Sequence, residues 1–243
     1  VNTTGNTILI TGGGTGIGRG LAEAFRALGN QVVIAGRRPQ KLDGIASFTF
    51  DVADPTQIRP FAERMAAKFP TLNVLINNAG IMRMEKLQSQ PEGVADAEAI
   101  IATNLLGPIR LTAALLPLLQ KQARSTIMNV SSGLAFVPLS LTPTYCATKA
   151  ALHSYTQSLR YQLRATTTEV LELIPPYVAT DLLNGANDPR AMPLDKFIAE
   201  VMEILKTQPG AKEICVENVK RLRYAAESGH YDAAFQGLNA AFE

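Results

Sequence analysis

The chain has 243 residues, 47% of them hydrophobic and 18% charged, with a formal net charge of +2. That length is enough to bury a substantial core in one domain, and the scattered basic residues, clustered most closely at Lys220-Arg221-Arg223, leave no footprint for nucleic acid. Two cysteines, Cys146 and Cys215, make no disulfide framework, and Val1 to Gly5 has neither the basic nor the apolar run of a signal peptide, so a cytoplasmic location is expected.

Thr7 to Thr11 reads as a short buried strand that runs into Thr11-Gly12-Gly13-Gly14-Thr15-Gly16-Ile17-Gly18, and a helical pattern covers Gly16 to Leu28. The glycines at 12, 16 and 18 do not follow the G-x-G-x-x-G spacing, but the physical logic is the same. Residues without side chains let the backbone approach a pyrophosphate, and the helix N-terminus offers it N–H groups and a positive dipole. Gly12, Gly14, Thr15, Gly16, Ile17 and Gly18 are therefore candidate dinucleotide-binding residues, with a plain tight turn as the other reading. Gln31 to Ala35 is a second strand, followed by Gly36-Arg37-Arg38 where an NAD-binding fold places an acid for the ribose. A missing carboxylate removes repulsion from a 2′-phosphate, and a guanidinium clamps one with paired hydrogen bonds. NADP(H) is therefore expected over NAD(H), through Arg37 first and Arg38 second; a solvated arginine pair is the alternative.

Ser47 to Phe50 fits a third strand, and Asp54 opens a helix with Pro55 in its first turn, ending near Lys68. Asn73 to Ile76 is a fourth strand that ends in Asn77-Asn78-Ala79-Gly80. A helical tract covers roughly Asp96 to Gln122. Within it Pro108 has no N–H for the Asn104 carbonyl, so a local kink is expected, or else Gly107-Pro108 ends one helix and starts another. The apolar tract Leu105 to Leu119 is interrupted by Pro108, Arg110 and Pro117 and reads as too short to span a bilayer. Thr126 to Ser131, Glu169 to Ile174 and Glu213 to Val216 complete a set of seven strands. Short apolar strands alternating with helices predict a single α/β domain over 1–243: a Rossmann-like, doubly wound, parallel seven-stranded sheet with helices on both faces.

The chemistry concentrates in Tyr145-Cys146-Ala147-Thr148-Lys149, on a helix predicted over 144–164. An i, i+4 spacing puts phenol and ammonium on one face, where a fixed lysine together with a nearby bound cofactor cation is expected to lower the phenol pKa from its ordinary value near ~10. Ser132, thirteen residues before Tyr145, is placed to hydrogen-bond the same reacting oxygen; Ser131 competes but reads as a strand-end residue. His153 and His230 show no metal-ligand companions, so no metal is expected, and His153 is expected at a packing surface.

These elements, in this order, resemble the short-chain dehydrogenase/reductase family. The matching pieces are the Thr11–Gly18 loop, Asp51-Val52, Asn77-Asn78-Ala79-Gly80, Asn104, Ser132 and Tyr145-x-x-x-Lys149. The run from Ser132-Gly133-Leu134-Ala135-Phe136 through Tyr145 to Ser154 is similar to the DltE-like oxidoreductases. The resemblance implies that Ser132 orients a substrate carbonyl and Tyr145 protonates it as a nicotinamide transfers hydride. It implies that Lys149 binds the nicotinamide ribose, with Asp51 and Val52 at the adenine. Asn78, Ala79 and Gly80 would lie along the adenosine ribose, and Val178 and Thr180 beside the nicotinamide. The Asn104 carbonyl would link Lys149 to solvent through a water.

Two departures stand out: Pro175-Pro176-Tyr177 replaces the family's Pro-Gly, and the stretch from Arg38 to Asp51 has room only for a turn where the family has a helix. A substrate segment is expected over roughly 177–206, with Asn184, Gly185 and Asn187 suiting a mobile lid. Leu134, Phe136, Pro138, Leu139, Leu141, Ile81 and Met82 are candidate apolar lining, so the expected substrate is a ketone, aldehyde or secondary alcohol with an apolar body. Leu105, Ile109, Leu115 and Leu118, with the Tyr145 helix, resemble the pair through which the family forms a homodimer or homotetramer; no nucleic-acid or membrane partner is expected. A ketoacyl-thioester reductase and a non-catalytic NADP(H) sensor are the competing readings.

Overall fold

Ile8, Leu9 and Ile10 are all fully buried, which a strand requires when both faces of its sheet are covered. They belong to β1 (Thr7–Thr11), an interior strand of a seven-stranded sheet in a computed structural model that describes residues 2–38, 42–86, 88–89, 94–183 and 188–242. The remaining strands are β2 (Gln31–Gly36), β3 (Ala46–Thr49), β4 (Leu72–Asn77), β5 (Ser125–Val130), β6 (Thr168–Ile174) and β7 (Glu213–Cys215). Their order is β3-β2-β1-β4-β5-β6-β7, every neighbour parallel, so strand order reverses between β1 and β4.

One core forms where α1 (Gly16–Ala27) and α6 (Leu194–Thr207) lay Leu21, Phe25, Phe197 and Val201 on the sheet. The other face carries α2 (Pro55–Lys68), α4 (Gly107–Leu119) and α5 (Pro143–Gln162), through Phe61, Met65, Leu111, Leu115 and Leu159. Asp54 caps α2 by accepting from the Thr56 amide at 2.9 Å, as the sequence predicted for that boundary. The short stretch after β2 is a turn where described: Leu42 and Ile45 pair in an isolated bridge, and Gly44 adopts φ 66°.

The predicted tract from Asp96 begins earlier, with α3 (Val94–Ile101), and a π turn over Ala102–Leu106 joins it to α4. This is the form the expected kink takes. Pro108 cannot donate to the Asn104 carbonyl, and the ladder widens there, with the Gly107 N–H reaching the Ala102 carbonyl. The whole run Val94–Leu119 spans 26 residues and is long and apolar enough to cross a membrane by length and composition, a test that a core helix also passes. In the fold, Ile100, Leu111, Leu115 and Leu119 are its buried large apolar residues. Leu115 points into the sheet-side core, which removes it from the face assigned to a partner subunit.

In the C-terminal third the strands were readable from the sequence, but α6 and the two helices beyond β7 were not. Where described, the expected substrate segment opens with the Val178–Met192 bridge and a 3-10 turn at Asp181–Leu183. From Leu194 it is α6, whose Phe197, Val201 and Leu205 are core, because its apolar stripe meets α1 where Gly20 leaves space for Ile198. Beyond β7 lie α7 (Glu217–Arg223) and α8 (Tyr231–Ala240). Asn184, Gly185 and Asn187 lie outside the described residues.

Candidate active site

A cavity of about 330 Å³ opens at the C-terminal ends of the strands, where strand order reverses. Its floor at one end is the glycine turn between β1 and α1. Gly12 has φ 65°, and a Cβ there would lie 2.9 Å from the Ala79 Cα; Gly16 has φ 51°, with a Cβ position 3.3 Å from the Thr180 methyl. Both positions need glycine by backbone angle as well as by space. Gly18 does not line the cavity: its Cβ position is 2.4 Å from the Gly12 carbonyl oxygen, so it lets the helix close on its own loop. Asn78 ties the same loop down from β4, donating from Nδ2 to the Thr11 carbonyl at 2.9 Å and the Gly12 carbonyl at 3.3 Å. Thr11 Oγ1 accepts in return from the Asn78 and Ala79 amides at 3.1 Å each. Thr15 N-caps α1 without a hydrogen bond from its side chain.

This cradle meets the requirements of the expected dinucleotide: bare backbone at a helix N-terminus, with Gly14, Thr15 and Ile17 along the cavity wall. Arg37 and Arg38 stand exposed at the rim past β2, and no acid occupies that strand end. Asp51 and Val52 line the wall between, Asp51 holding the Ala53 amide at 3.0 Å. Ala79, Gly80, Val178 and Thr180 reach the same space. Around the double proline the Gly133 N–H donates to the Pro175 carbonyl at 2.9 Å, and Val178 bridges in parallel to Met192.

At the other end Ser132, Tyr145 and Lys149 come together, all buried. Ser132 caps a short 3-10 turn, its Oγ accepting from the Leu134 amide at 3.1 Å, and the hydroxyl hydrogen-bonds the Tyr145 phenol. Lys149 Nζ donates to the Val130 carbonyl at 2.7 Å and lies 5.5 Å from the Tyr145 ring centroid. The expectation of an acidic phenol is not met in the protein as it stands. Burial pushes the Tyr145 pKa well above its ordinary value, and the Ser132 bond offsets only part of that. Burial also brings Lys149 down to about 8, against the pull of the Glu172 carboxylate.

Asn104 is buried but does not face the cavity; its amide clamps the backbone of Ile81, Oδ1 accepting from the Ile81 N–H at 2.9 Å and Nδ2 donating to its carbonyl at 2.8 Å. A Cβ on Gly80 would sit 3.4 Å from Asn104 Oδ1 and 3.8 Å from Lys149 Nζ, so that glycine is where the two approach.

Of the expected apolar lining, Ile81, Met82, Leu134 and Leu139 face the cavity. Phe136, Pro138 and Leu141 do not: Phe136 packs edge-on against His153 at 4.7 Å, the Pro138 carbonyl accepts from Asn239, and Leu141 joins the small core around Ile100. Among the lining residues that went unforeseen are Leu222 of α7, Leu238 of α8 and Phe242 beyond it. Nothing in their spacing announces that α8 folds over the cavity. The fastening is visible only in three dimensions, where Asn239 accepts from the Ser140 amide at 2.7 Å and Tyr177 meets Phe242 ring to ring at 5.8 Å. His153 also departs from expectation, since ligand atoms of His153, Glu172 and Glu213 lie within 4.8 Å of one another. Arg223 already holds Glu213 in a two-pronged pair at 2.7 and 3.1 Å.

A glycine cradle at the strand-order switch, with Ser132, Tyr145 and Lys149 buried together at the far end of one cavity, defines the class: an α/β fold of the dinucleotide-binding kind. The short chain dehydrogenase family model matches residues 6–191. The uncharacterized oxidoreductase DltE of Bacillus subtilis (strain 168) is 40% identical over 248 residues, covering 97% of each chain. Dehydrogenase/reductase SDR family member 7B of Rattus norvegicus is 29% identical, over 79% of this chain and 65% of that one. The same fold appears in a short chain dehydrogenase from Burkholderia cenocepacia J2315 in complex with NADP, with a TM-score of 0.83, 24% identity and coverage of 98% and 99%. The chain belongs to the short-chain dehydrogenase/reductase family and is a DltE-like oxidoreductase within it.

Proposed function

We propose that the protein is an NADP(H)-dependent oxidoreductase that reduces a ketone or aldehyde with an apolar body, or oxidises the matching secondary alcohol. The observation that carries this reading is the convergence of Ser132, Tyr145 and Lys149 on one end of a cavity whose other end is the glycine cradle. The bound nicotinamide supplies or accepts the hydride. Ser132, fixed by the Leu134 amide, donates to the carbonyl oxygen and orients it. Tyr145, kept as a neutral phenol by its burial, gives up its Oη proton to that oxygen as charge develops there. Lys149, anchored on the Val130 carbonyl, is placed to hold a ribose hydroxyl and to stabilise the tyrosinate left behind. Asn104 acts by holding Ile81, and with it the cavity wall. In the oxidative direction each proton step reverses.

The specificity for the 2′-phosphate rests on Arg37 and, behind it, Arg38, with no carboxylate nearby on that strand end. The apolar end, walled by Met82, Leu139, Leu238 and Phe242, suits an uncharged substrate body. The test is a spectrophotometric screen of NADPH and NADH oxidation over ketones, aldehydes and acyl thioesters, together with cofactor affinities for Arg37→Asp. Wild type is expected to prefer NADPH and an apolar ketone or aldehyde, and R37D to lose that cofactor preference by about tenfold or more. An unchanged preference in R37D contradicts the phosphate assignment, and turnover confined to acyl thioesters contradicts the substrate assignment.

A further inference from the structure

Tyr145, Lys149, His153 and Gln157 succeed one another at i, i+4 along α5, forming one line from the cavity to solvent. Opposite that line runs the end of β5, where three consecutive residues each meet a different ionisable side chain. The Val130 carbonyl accepts from Lys149, Ser131 Oγ donates to Glu172 at 2.5 Å, and the Ser132 hydroxyl bonds Tyr145. Glu172 of β6 is fully buried, and His153 Nδ1 closes its other oxygen at 2.8 Å. A buried carboxylate of this kind persists only where donors and a cation offset its desolvation.

The charged surroundings narrow the choice of cation. Glu213 of β7 is engaged by Arg223 of α7, and Arg223 also pairs with Glu227 at 2.8 Å. Lys220 of α7 is paired with Glu217. The Cys215 thiol of β7 is pushed up to about 12 by burial and stays neutral. From α5 the facing groups are His153 and Lys149. Burial alone favours a neutral lysine, and Glu172 is the charge that opposes it.

We propose that Glu172 is a positioning residue of the active site: its carboxylate, fixed by Ser131 and His153, keeps Lys149 in the ammonium form that anchors on Val130. Its catalytic meaning rests on the Tyr145–Lys149 reading above, but its test does not. Two neighbouring serines thus divide the work, Ser132 facing the reacting phenol and Ser131 the carboxylate behind the lysine.

The direct experiment is an NMR titration of the full chain labelled with carbon-13 lysine, without substrate, the Lys149 signal being assigned by its loss in Lys149→Arg. In Glu172→Gln, which keeps shape and removes charge, the Lys149 midpoint is expected to fall by about one pH unit or more, a tenfold loss of proton affinity. Glu172→Asp, which keeps the charge, is expected to bring it back toward wild type. Equal midpoints in wild type and E172Q overturn the proposal, even if E172Q loses activity. If E172Q does not fold, the same coupling is read from its other end, because coupling is reciprocal. The Glu172 carboxyl carbon should then titrate at higher pH in Lys149→Met than in wild type, and an equal midpoint overturns the proposal. Failure of the proposed function would show instead as full activity in a Tyr145 variant.

Discussion

Tyr145 and Lys149 are both almost wholly withdrawn from water, and this reverses the simple expectation for a phenol beside an amine. A cation lowers a tyrosine pKa only by as much as it outweighs desolvation, and here desolvation is the larger effect on both groups. The spacing of the two residues could be read from the sequence; their depth could not, because depth is set by β5, β6 and the loops above them. Ser132 was separable from Ser131 by counting to Tyr145, but the Ser131–Glu172 bond depends on β5–β6 register, in which Asn129 lies opposite Glu172. A consequence follows for pH. Ultraviolet titration of the cofactor-free protein, wild type minus Tyr145→Phe, is expected to show no tyrosinate from Tyr145 through the neutral range. The sign for stability follows: the native state keeps the phenol proton above about pH 10, where the unfolded chain loses it, so this group's contribution to stability is full below that pH and lost as pH rises through the higher native value. A tyrosinate signal near neutrality, absent in Y145F, contradicts this.

Among the elements, those with clear periodicity or punctuation were readable: the β1–α1 glycine turn, the Asp54 cap and the α5 helix all fall within a residue or two of their predicted bounds. The π turn at Ala102–Leu106 was half readable, since Pro108 says that the ladder must break but not how it is rejoined. The α8 helix was not readable as part of the site, because its role comes from fastenings between residues about a hundred positions apart, Asn239 with Pro138 and Ser140. That staple is testable. Asn239→Ala removes both of these bonds, each contributing about 1 kcal/mol, along with the Nδ2 bond to the Phe235 carbonyl within α8, and loosens the wall formed by Leu238 and Phe242. The KM for an apolar ketone is expected to rise by about three- to tenfold, with kcat for a small aldehyde changed less. Identical KM values in wild type and N239A would remove α8 from substrate binding.

On the scale of the whole molecule, the parallel order with its switch between β1 and β4 puts both halves of the site at one edge of the sheet. The α3–α4 run leaves Val94 and Ile101 exposed, while Leu105 and Ile109 are only half-buried. Leu105, Ile109 and the half-buried Leu118, with the α5 helix and without Leu115, remain the face we expect a second copy to cover. Val94 and Ile101 extend it. Light scattering at micromolar concentration should therefore give the mass of a dimer or tetramer, and a stable monomer of 26.1 kDa contradicts the assignment. The site itself draws on side chains from the whole length of the chain, Thr11 to Phe242, so its assembly and the fold are one event.

The most direct measurement is single-turnover hydride transfer from NADPH to an accepted ketone by wild type and Tyr145→Phe, with NADPH binding checked in both. Removing the phenolic proton donor while keeping the ring is expected to leave binding intact and to slow transfer by about a hundredfold or more. An undiminished rate in Y145F would contradict the assignment of Tyr145 as the acid.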